Sequence, residues 1–485
     1  MLHPDLLQPL EPTQRKAVQE IARVLQESGY ECYLVGGCVR DLLRGMPAKD
    51  LDLTTDALPQ ESRKLFKKTI PTGIEHGTIT VRMLGHSLEL TTYRTEGSYT
   101  DGRRPDQVQF GKSLSEDLCR RDFTVNALAY DPISEDLVDE HGGLDDLKNR
   151  LIRTIGEARD RFFEDGLRPI RACRFLSTLE FRLEETTQKA LSEPEVQKRT
   201  AMVAIERFTD ELRKGLKSAD PMPMLLEIQK SGLLSVFLNR ANVESSGEAL
   251  TDDELMFQAL ANQKSNNSGD TRPLEHGENR SLQALPIDVK RKRFAWFKER
   301  ATDIENSSDW LVDIRVFLWL HSLFPYSNSS DLMAILKRWK FPNHTVQCLE
   351  ASFLLLDALD AVGMKNYTGW QRSNGLPEIR KSLFQLSKVL DHRLESFLLT
   401  WQAYIQCIAP EAGQMKGTLD ALNSSYTSDP FRIKDLALSG KDLMEMGFQG
   451  KQIGDVLQSC LEEVWKDPTI NTRERLIEFL ESTGS

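Results

Sequence analysis

The stretch Tyr33–Asp56, YLVGGCVRDLLRGMPAKDLDLTTD, decides the fold of the N-terminal part of this chain. An apolar strand-like run ends in two glycines, and a helix-like run with Arg40 in its first turn follows. Asp50 and Asp52 then stand two residues apart in a second strand-like run. This order predicts a unit of mixed helix and strand with acidic side chains on one of its strands.

Asp50 and Asp52 are the candidate metal ligands. On a strand, residues i and i+2 lie roughly 6.5–7 Å apart and point to the same side, so both carboxylates would face one region. Such oxygens suit Mg²⁺, and Glu89 in the strand-like run SLELTTYR is the candidate third acid for a two-ion site. A strand with a solvated acidic face is the simpler alternative. An EF-hand is disfavoured, because Thr55 stands where that loop needs glycine and Pro59 falls inside it.

Gly36, Gly37 and Arg40 form a candidate phosphate site. Backbone N–H groups at a glycine turn approach phosphate oxygens closely, a helix N-terminus favours negative charge, and an arginine can pair with a phosphate. The chain has no Gly-Lys-Ser/Thr element here, so the turn is not a P-loop, and a GxGxxG pattern is also missing. A simple tight turn explains the glycines alone. The hypothesis of a phosphate site therefore depends on the combination of the glycines and Arg40 with the acid pair.

The bulk composition is that of a soluble globular protein with more than one domain. The chain has 485 residues, of which 40% are hydrophobic and 28% charged. It has no apolar run long enough for a bilayer and no N-terminal signal, and its 7 cysteines form no CxxC pair, so we expect a cytoplasmic protein without a membrane partner. The net charge of -11 disfavours indiscriminate nucleic-acid binding, so no DNA partner is expected, but it permits a local basic groove.

The periodicity of the hydrophobic residues changes near residue 150. Before it, the runs YLVGG, LDLTT, GTITVRML, SLELTTYR and DQVQF read as strands. After it, long helical periodicities dominate, broken by the polar segment 263–280. The predicted fold class is α+β, with an N-terminal mixed sheet of about five strands followed by all-helical parts.

A series of spaced motifs resembles the class II nucleotidyltransferases, which are the CCA-adding tRNA nucleotidyltransferases and the bacterial poly(A) polymerases. VGGCVRDLLRGMPAKDLDLTTDA is similar to their motif A, and CRRDFTVNALAYDP, FFEDGLRPIRACRF and AIERFTDELRK follow in the family order. Phe208 replaces the usual aliphatic residue in the last of these. The segments LVDEHGGLDDLKNRLIRTIG and LSGKDLMEMGFQGKQIGDVL also resemble the family, whereas residues 216–425 match only as generic helices.

The resemblance implies a polymerase-β-like head and a division into domains. We expect a catalytic nucleotidyltransferase head over residues 1–150 and a helical neck with the nucleotide-selecting motif over 151–215. A helical body would span residues 216–425, and a helical, tRNA-binding tail would span 426–485.

The resemblance also implies roles for the candidate site residues. Asp50 and Asp52 would bind Mg²⁺, with Glu89 as the third catalytic carboxylate. Besides the glycine turn and Arg40, the nucleotide-binding residues would be Arg121, Asp122, Asn126, Glu164, Asp165, Arg168, Arg171 and Arg174. An Asp beside a ribose accepts a 2′-OH hydrogen bond and favours ribonucleotides. A surface charge cluster or a helix cap is the plainer explanation of the RRD motif.

Asp165 and Arg168 are the candidate base-selecting pair, because residues three apart on a helix share a face. The Asp carboxylate can accept a hydrogen bond from the exocyclic amino group of cytosine or adenine, and the Arg guanidinium can donate one to the neighbouring ring nitrogen. Uracil and guanine would leave mispaired groups, at roughly 1–3 kcal/mol each. In the resembled family this pair acts as a protein template, with Glu164 orienting the Arg. A surface ion pair worth less than about 1 kcal/mol is the alternative on spacing alone.

The implied function is template-independent addition of C and A to the tRNA 3′ end from CTP and ATP. PTGIEHGTITV (71–81) resembles the CCA-adding form, and RTEGSYTDGRRPDQVQF (94–110) resembles the family's flexible loop, which serves a step that includes A. The alternatives are an A-adding enzyme acting on CC-ended tRNA, a poly(A) polymerase, and a catalytically inactive RNA-binding protein. Asp391-His392 has the reverse order of an HD phosphohydrolase pair.

The sequence predicts the RNA-binding surface less specifically than the active site. The basic and aromatic run KRKRFAWFK (290–298) is either a contact for the tRNA backbone or an amphipathic helix packed by its aromatic residues. Lys451 and Lys466 are candidate tRNA contacts in the tail.

Overall fold

The structure is a computed structural model that describes residues 5–48, 50–95, 110–111, 113–238, 329–343, 376–390 and 429–483, with a few short pieces between 315 and 427. The chain divides into two compact units, Met1–Pro273 and Leu274–Ser485. The polar segment 263–280, the basic run 290–298, Asp391-His392 and most of the segment 94–110 lie outside the described residues. The four-domain division stays a prediction.

The described part of the first unit contains a seven-stranded sheet, in the order β3-β4-β5-β2-β1-β6-β7. The strands are β1 (Tyr33–Val35), β2 (Asp52–Thr55), β3 (Thr69–Gly73), β4 (Thr78–Met83), β5 (His86–Thr92), β6 (Leu128–Tyr130) and β7 (Leu137–Asp139). β2 and β5 run parallel, and the other neighbouring pairs run antiparallel. The sheet is therefore mixed, as predicted, with two more strands than the approximate prediction of five.

Four of the five predicted strand runs form strands in the sheet. The fifth, DQVQF, lies outside the described residues except for Phe110, which makes an isolated bridge to Arg94. β3, β6 and β7 were not predicted: TIPTG contains a proline, and β6 and β7 are three residues long without the pair of glycines that follows the equally short β1. A run of three residues carries too little alternation to indicate a strand without such a turn signal.

One face of the sheet is covered by α1 (Pro12–Glu27), whose buried residues recur at helical spacing. The hydrophobic core joins this stripe to Ile79 and Val81 of β4 and to Leu88 and Leu90 of β5. Since side chains alternate along a strand, the residues between these apolar positions point to the opposite face. That opposite face carries the acidic residues.

The remaining elements of the first unit are mostly helical. They are α2 (Gly37–Leu43), α3 (Pro59–Leu65), α4 (Leu114–Cys119), α5 (Gly143–Lys148), α6 (Ala158–Glu164), α7 (Arg168–Thr178), α8 (Glu185–Ala190), α9 (Pro194–Ala201), α10 (Ile205–Leu216), α11 (Met222–Lys230) and α12 (Leu233–Leu238). The part after residue 150 is not wholly helical, because β8 (Leu151–Ile152) pairs in parallel with β9 (Arg182–Leu183).

The departure from the family at Phe208 is accommodated between two helices. Phe208 of α10 is buried and stacks on Phe237 of α12, with ring centroids 3.7 Å apart and planes 12° apart. The aromatic residue therefore has a specific packing partner, so it is compatible with this helical core.

The described part of the second unit is helical. Its longer helices are α13 (Ser329–Arg338), α14 (Leu376–Leu390), α15 (Gly440–Glu445), α16 (Lys451–Lys466) and α17 (Arg473–Thr483). α16 carries buried Val456, Cys460 and Val464, which pack with Leu443 of α15 and Leu476 of α17. Within the described ranges, no helix is both long and apolar enough to cross a membrane.

Candidate active site

The parallel pairing of β2 with β5 sets the geometry of the acids. Its register places Asp52 opposite Glu89, so both carboxylates lie on the face of the sheet that α1 leaves open. Asp52 is half-buried and Glu89 is exposed. Burial raises the pKa of Asp52 and the Glu89 carboxylate raises it further, while Arg121 opposes this rise and Asp50 adds to it. Three acids and one arginine thus act on a single region.

The expectation that Asp50 and Asp52 share a strand is wrong. β2 begins at Asp52, and Asp50 lies in an exposed bend just before it. The strand starts there because the ladder to β1 covers only Leu53 and Thr54 and the ladder to β5 starts at Asp52. The strand at Thr54 and Thr55 also removes the EF-hand alternative, because a calcium loop would need a turn there.

The acids offer the donor chemistry of a magnesium site. Asp52 and Glu89 present hard oxygen ligands side by side, and Asp50 lies close enough to act on the pKa of Asp52. In the part of the chain that the structure describes, no three His, Cys, Asp or Glu side chains already stand at metal-ligand spacing. The donor types therefore fit the ion, although the side chains are not gathered around a common point.

Arg121 lies against the glycine turn. Gly36 has a positive φ of 80° at the start of α2, and a Cβ atom there would approach Nη1 of Arg121 to 2.8 Å. Any side chain at Gly36 would therefore displace the guanidinium or strain the backbone. Nε of Arg121 is buried and has no hydrogen-bond partner among the described residues. The arginine thus keeps a donor available beside both the turn and Asp52.

Asp117 is a site residue that the sequence analysis missed. It is fully buried on α4 and accepts hydrogen bonds from Nη2 of Arg121 at 3.0 Å, Nη2 of Arg120 at 2.5 Å and the backbone N–H of Arg94 at 3.3 Å. Burial alone would raise the pKa of Asp117, but the guanidinium groups of Arg121 and Arg120 hold it below its usual value. An acid three and four residues before two arginines, at the end of a helix, was the available signal.

Arg40 belongs to a buried polar network. Its Nη1 donates to Oδ1 of Asn126 at 2.6 Å, and its Nε donates to Oδ1 of Asp41 at 2.9 Å. Asn126 in turn donates from Nδ2 to Oδ1 of Asp122 at 2.9 Å. With only 7% of the residue exposed, Arg40 is engaged with the protein rather than held out toward solvent as a free phosphate ligand.

The same network continues into α7. Nε of Arg171 donates to Oδ2 of Asp122 at 2.8 Å. Burial opposes the charge on Asp122, but Arg171 outweighs it and the hydrogen bond from Asn126 assists, so the pKa of Asp122 falls to about 2. Arg174 pairs with buried Glu211 of α10 at 2.5 Å. The RRD and ERFTDELRK motifs are therefore both tied to the helix that carries the two arginines.

Asp165 and Arg168 do not share a helix face, which corrects the prediction. α6 ends at Glu164, α7 begins at Arg168, and Asp165 has extended backbone between them. Its Oδ1 accepts the N–H of Leu167 at 2.9 Å. The guanidinium of Arg168 donates to Oε2 of Glu164 at 2.6 Å, which is the contact expected of an orienting glutamate.

Comparison with known proteins identifies the family. The family model described as "Poly A polymerase head domain" matches residues 32–153. The CCA-adding enzyme of Lactiplantibacillus plantarum is 33% identical over 476 residues, which cover 96% of this chain and 96% of the relative. This chain belongs to the CCA-adding enzymes. That of Levilactobacillus brevis is 32% identical over 480 residues, covering 96% of this chain and 97% of the relative.

A solved CCA-adding enzyme is similar in structure to this chain. The crystal structure of the Bacillus stearothermophilus CCA-adding enzyme in complex with CTP matches with a TM-score of 0.64 and 27% identity. The match covers 98% of this chain and 98% of that chain. The family and the fold class that the sequence predicted for this chain are therefore confirmed.

Proposed function

We propose that this CCA-adding enzyme transfers C and A from CTP and ATP to the 3′ end of tRNA without a nucleic-acid template. The observation that carries the proposal is the register of β2 and β5, which sets Asp52 beside Glu89 on an open face of the sheet. Arg121, held by Asp117 against Gly36, lies beside these acids with a free donor. Acids next to a cation at a glycine turn suit a nucleoside triphosphate and its metal.

The proposed role of the acidic side chains on the open face of the sheet is to bind Mg²⁺. Asp52 and Asp50 would be its ligands, with Glu89 as the third acid. When bound, Mg²⁺ supplies activation of the attacking hydroxyl and stabilises the charge of the leaving pyrophosphate. Burial and, after it, the Glu89 carboxylate raise the pKa of Asp52, and a cation between the acids would offset the repulsion between them.

The arginines divide into one ligand and several positioning residues. Arg121 is the proposed partner of the triphosphate, because its Nε has no partner among the described residues. Arg40 and Arg171 would instead hold Asn126 and Asp122 from both sides, so that these polar groups face the ribose in fixed rotamers. Gly36 and Gly37 would let the backbone approach the phosphates closely.

The base would be read by Asp165, which lies between α6 and α7, and by Arg168, the first residue of α7. The guanidinium of Arg168 has five N–H donors. One donates to Glu164, one to the carbonyl of Arg161 and one to the carbonyl of Arg120, so two donors are left. Arg168 can therefore still donate to a ring nitrogen. Oδ2 of Asp165, with one long contact of 3.4 Å to Arg207, can accept from the exocyclic amino group.

The variant Asp52→Asn tests the catalytic proposal. It removes one charge from the acid pair with little change of shape, so we expect nucleotide addition to fall by at least about a thousandfold, the size of effect typical for a charge that acts in the transition state. The affinity for tRNA should stay within about twofold. The matched control is Asp160→Asn, an exposed acid on α6. A protein that binds RNA without catalysis would show no addition in the wild type either.

A further inference from the structure

An open groove lined by cations lies at the outer edge of the sheet. It is formed by α3, the turn after α3, the start of β3 and the end of β4, and its volume is about 590 Å³. Its charged and amide side chains are Gln60, Arg63, Lys64, Lys67, Lys68 and Arg82. All six are exposed to solvent.

The five cations of this groove have no carboxylate partner among the described residues. Glu61, the acid on the same helix, points elsewhere, because its Oε2 accepts the backbone N–H of Leu58 at 2.9 Å. By contrast, Arg40 and Arg121 near the acid pair are each bound to an aspartate. Five unpaired like charges in one concavity repel each other, and an anionic ligand would relieve that repulsion.

The groove meets the face of the sheet that carries the catalytic acids. In the register of β4 with β5, Thr80 pairs with Glu89 and Arg82 pairs with Ser87. Arg82 therefore points to the same open face as Glu89, two residues farther along the strands. Strand and residue spacings place its Cα roughly 8 Å from that of Glu89 and roughly 12 Å from that of Asp52. Arg82 thus joins the groove to the face of the sheet that carries the acids.

We propose that this groove binds the phosphodiester backbone of the RNA substrate, on the strand that leads to the reacting 3′ end. The inference rests on the proposed function, because the RNA is the substrate of the same site. A row of lysines and arginines contacts successive phosphates without reading the bases, which suits an enzyme that must accept many tRNA sequences. The concave shape fits a linear polyanion better than a membrane surface, since Ile70 is the groove's one exposed large hydrophobic side chain in the described structure.

The test compares two triple variants of the full chain. Lys64→Gln, Lys67→Gln and Lys68→Gln together remove three charges from the groove. Lys16→Gln, Lys148→Gln and Lys198→Gln together remove three exposed charges elsewhere on the same unit. The dissociation constant for a tRNA transcript is measured for the wild type and both variants between 50 and 200 mM KCl, and circular dichroism checks that each variant is folded.

The groove variant should weaken tRNA binding and lower the slope of log Kd against log salt by about 2 to 3, because each phosphate contact contributes about 0.7 to 0.9. The control variant should keep the wild-type slope. In nucleotide addition, the groove variant should raise KM for tRNA and leave KM for ATP at the wild-type value.

Three results separate failure of this inference from failure of the proposed function. If the wild type adds nucleotides but both variants have its slope and its KM for tRNA, the groove does not bind RNA. If the groove variant instead loses binding only to vesicles that contain phosphatidylserine, the ligand is a membrane and the inference is also wrong. If the wild type adds no nucleotide to any tRNA transcript, the proposed function itself fails.

Discussion

Asp117 organises the cations of the site at the scale of single residues. It is fully buried and binds Arg120 and Arg121 through its two carboxylate oxygens. It also accepts the N–H of Arg94, at the start of the segment that resembles the family's flexible loop. One side chain therefore connects the base of that segment to the arginine that lies beside Gly36.

The variant Asp117→Asn should destabilise the protein and weaken nucleotide binding. Removing the acid leaves two guanidinium groups without their carboxylate, which we expect to cost about 3 kcal/mol in the free energy of unfolding. Urea unfolding of the full chain measures this, with Asp160→Asn as the exposed control. KM for ATP should rise because Arg121 is no longer held. A variant with wild-type stability and KM would show that Asp117 has no positioning role.

The charge of Asp122 should make the stability of the fold depend on pH. Its pKa is about 2 in the folded protein against a usual value of 3.8, so its ionised form stabilises the fold above about pH 5. That contribution, about 2 kcal/mol, is lost as the pH falls from about 5 through 2. The difference in the free energy of unfolding between the wild type and Asp122→Asn should narrow over this range. A difference that stays constant with pH would contradict the ionised assignment.

At the scale of elements, the contact between α10 and α12 depends on an aromatic pair. Phe208→Leu would remove the ring that stacks on Phe237, and we expect a loss of about 1–2 kcal/mol in the free energy of unfolding. Phe163→Leu is the control, because Phe163 is 54% exposed. Equal effects of the two substitutions in urea unfolding would show that the stacking has no special weight.

β4 and β5, the longer strands of the first unit, could be predicted from the sequence because their apolar residues alternate. Their burial follows this alternation, whereas α1 was not predicted, although its buried residues recur at helical spacing. The sequence could not predict that β2 begins only at Asp52, or that the helix is interrupted between Glu164 and Arg168. Strand pairing decides the first boundary and a turn decides the second. Gly166, for example, lies so close to the carbonyl of Arg199 that a Cβ atom there would be 2.6 Å away, and the chain turns at this point instead of continuing a helix through Asp165.

The candidate site was predictable in its residue types but not in its partners. The prediction that Glu89 lies beside the first acidic strand agrees with the register of β2 and β5. Arg40, by contrast, meets Asn126 from 86 residues away, and the sequence has no local signal for such a contact. Its engagement in a buried network therefore emerges only from the folded chain.

At the scale of the whole molecule, charge is distributed unevenly. The chain has a net charge of -11, yet the groove beside β3 and β4 holds five unpaired cations in the described structure. Local fields rather than the total charge determine where a polyanion binds. An acidic protein can therefore bind RNA at a defined surface while disfavouring nucleic acid elsewhere.

The most direct measurement of the central claim is the product length formed on defined tRNA ends. Transcripts that end at the discriminator base, at C and at CC are incubated with the full chain and Mg²⁺, with CTP, ATP or both, and resolved on one gel. We predict that all three converge on the CCA end when both nucleotides are present, and that UTP and GTP are not used. Growth of the CC-ended transcript alone, by a single A, would contradict the claim and identify an A-adding enzyme.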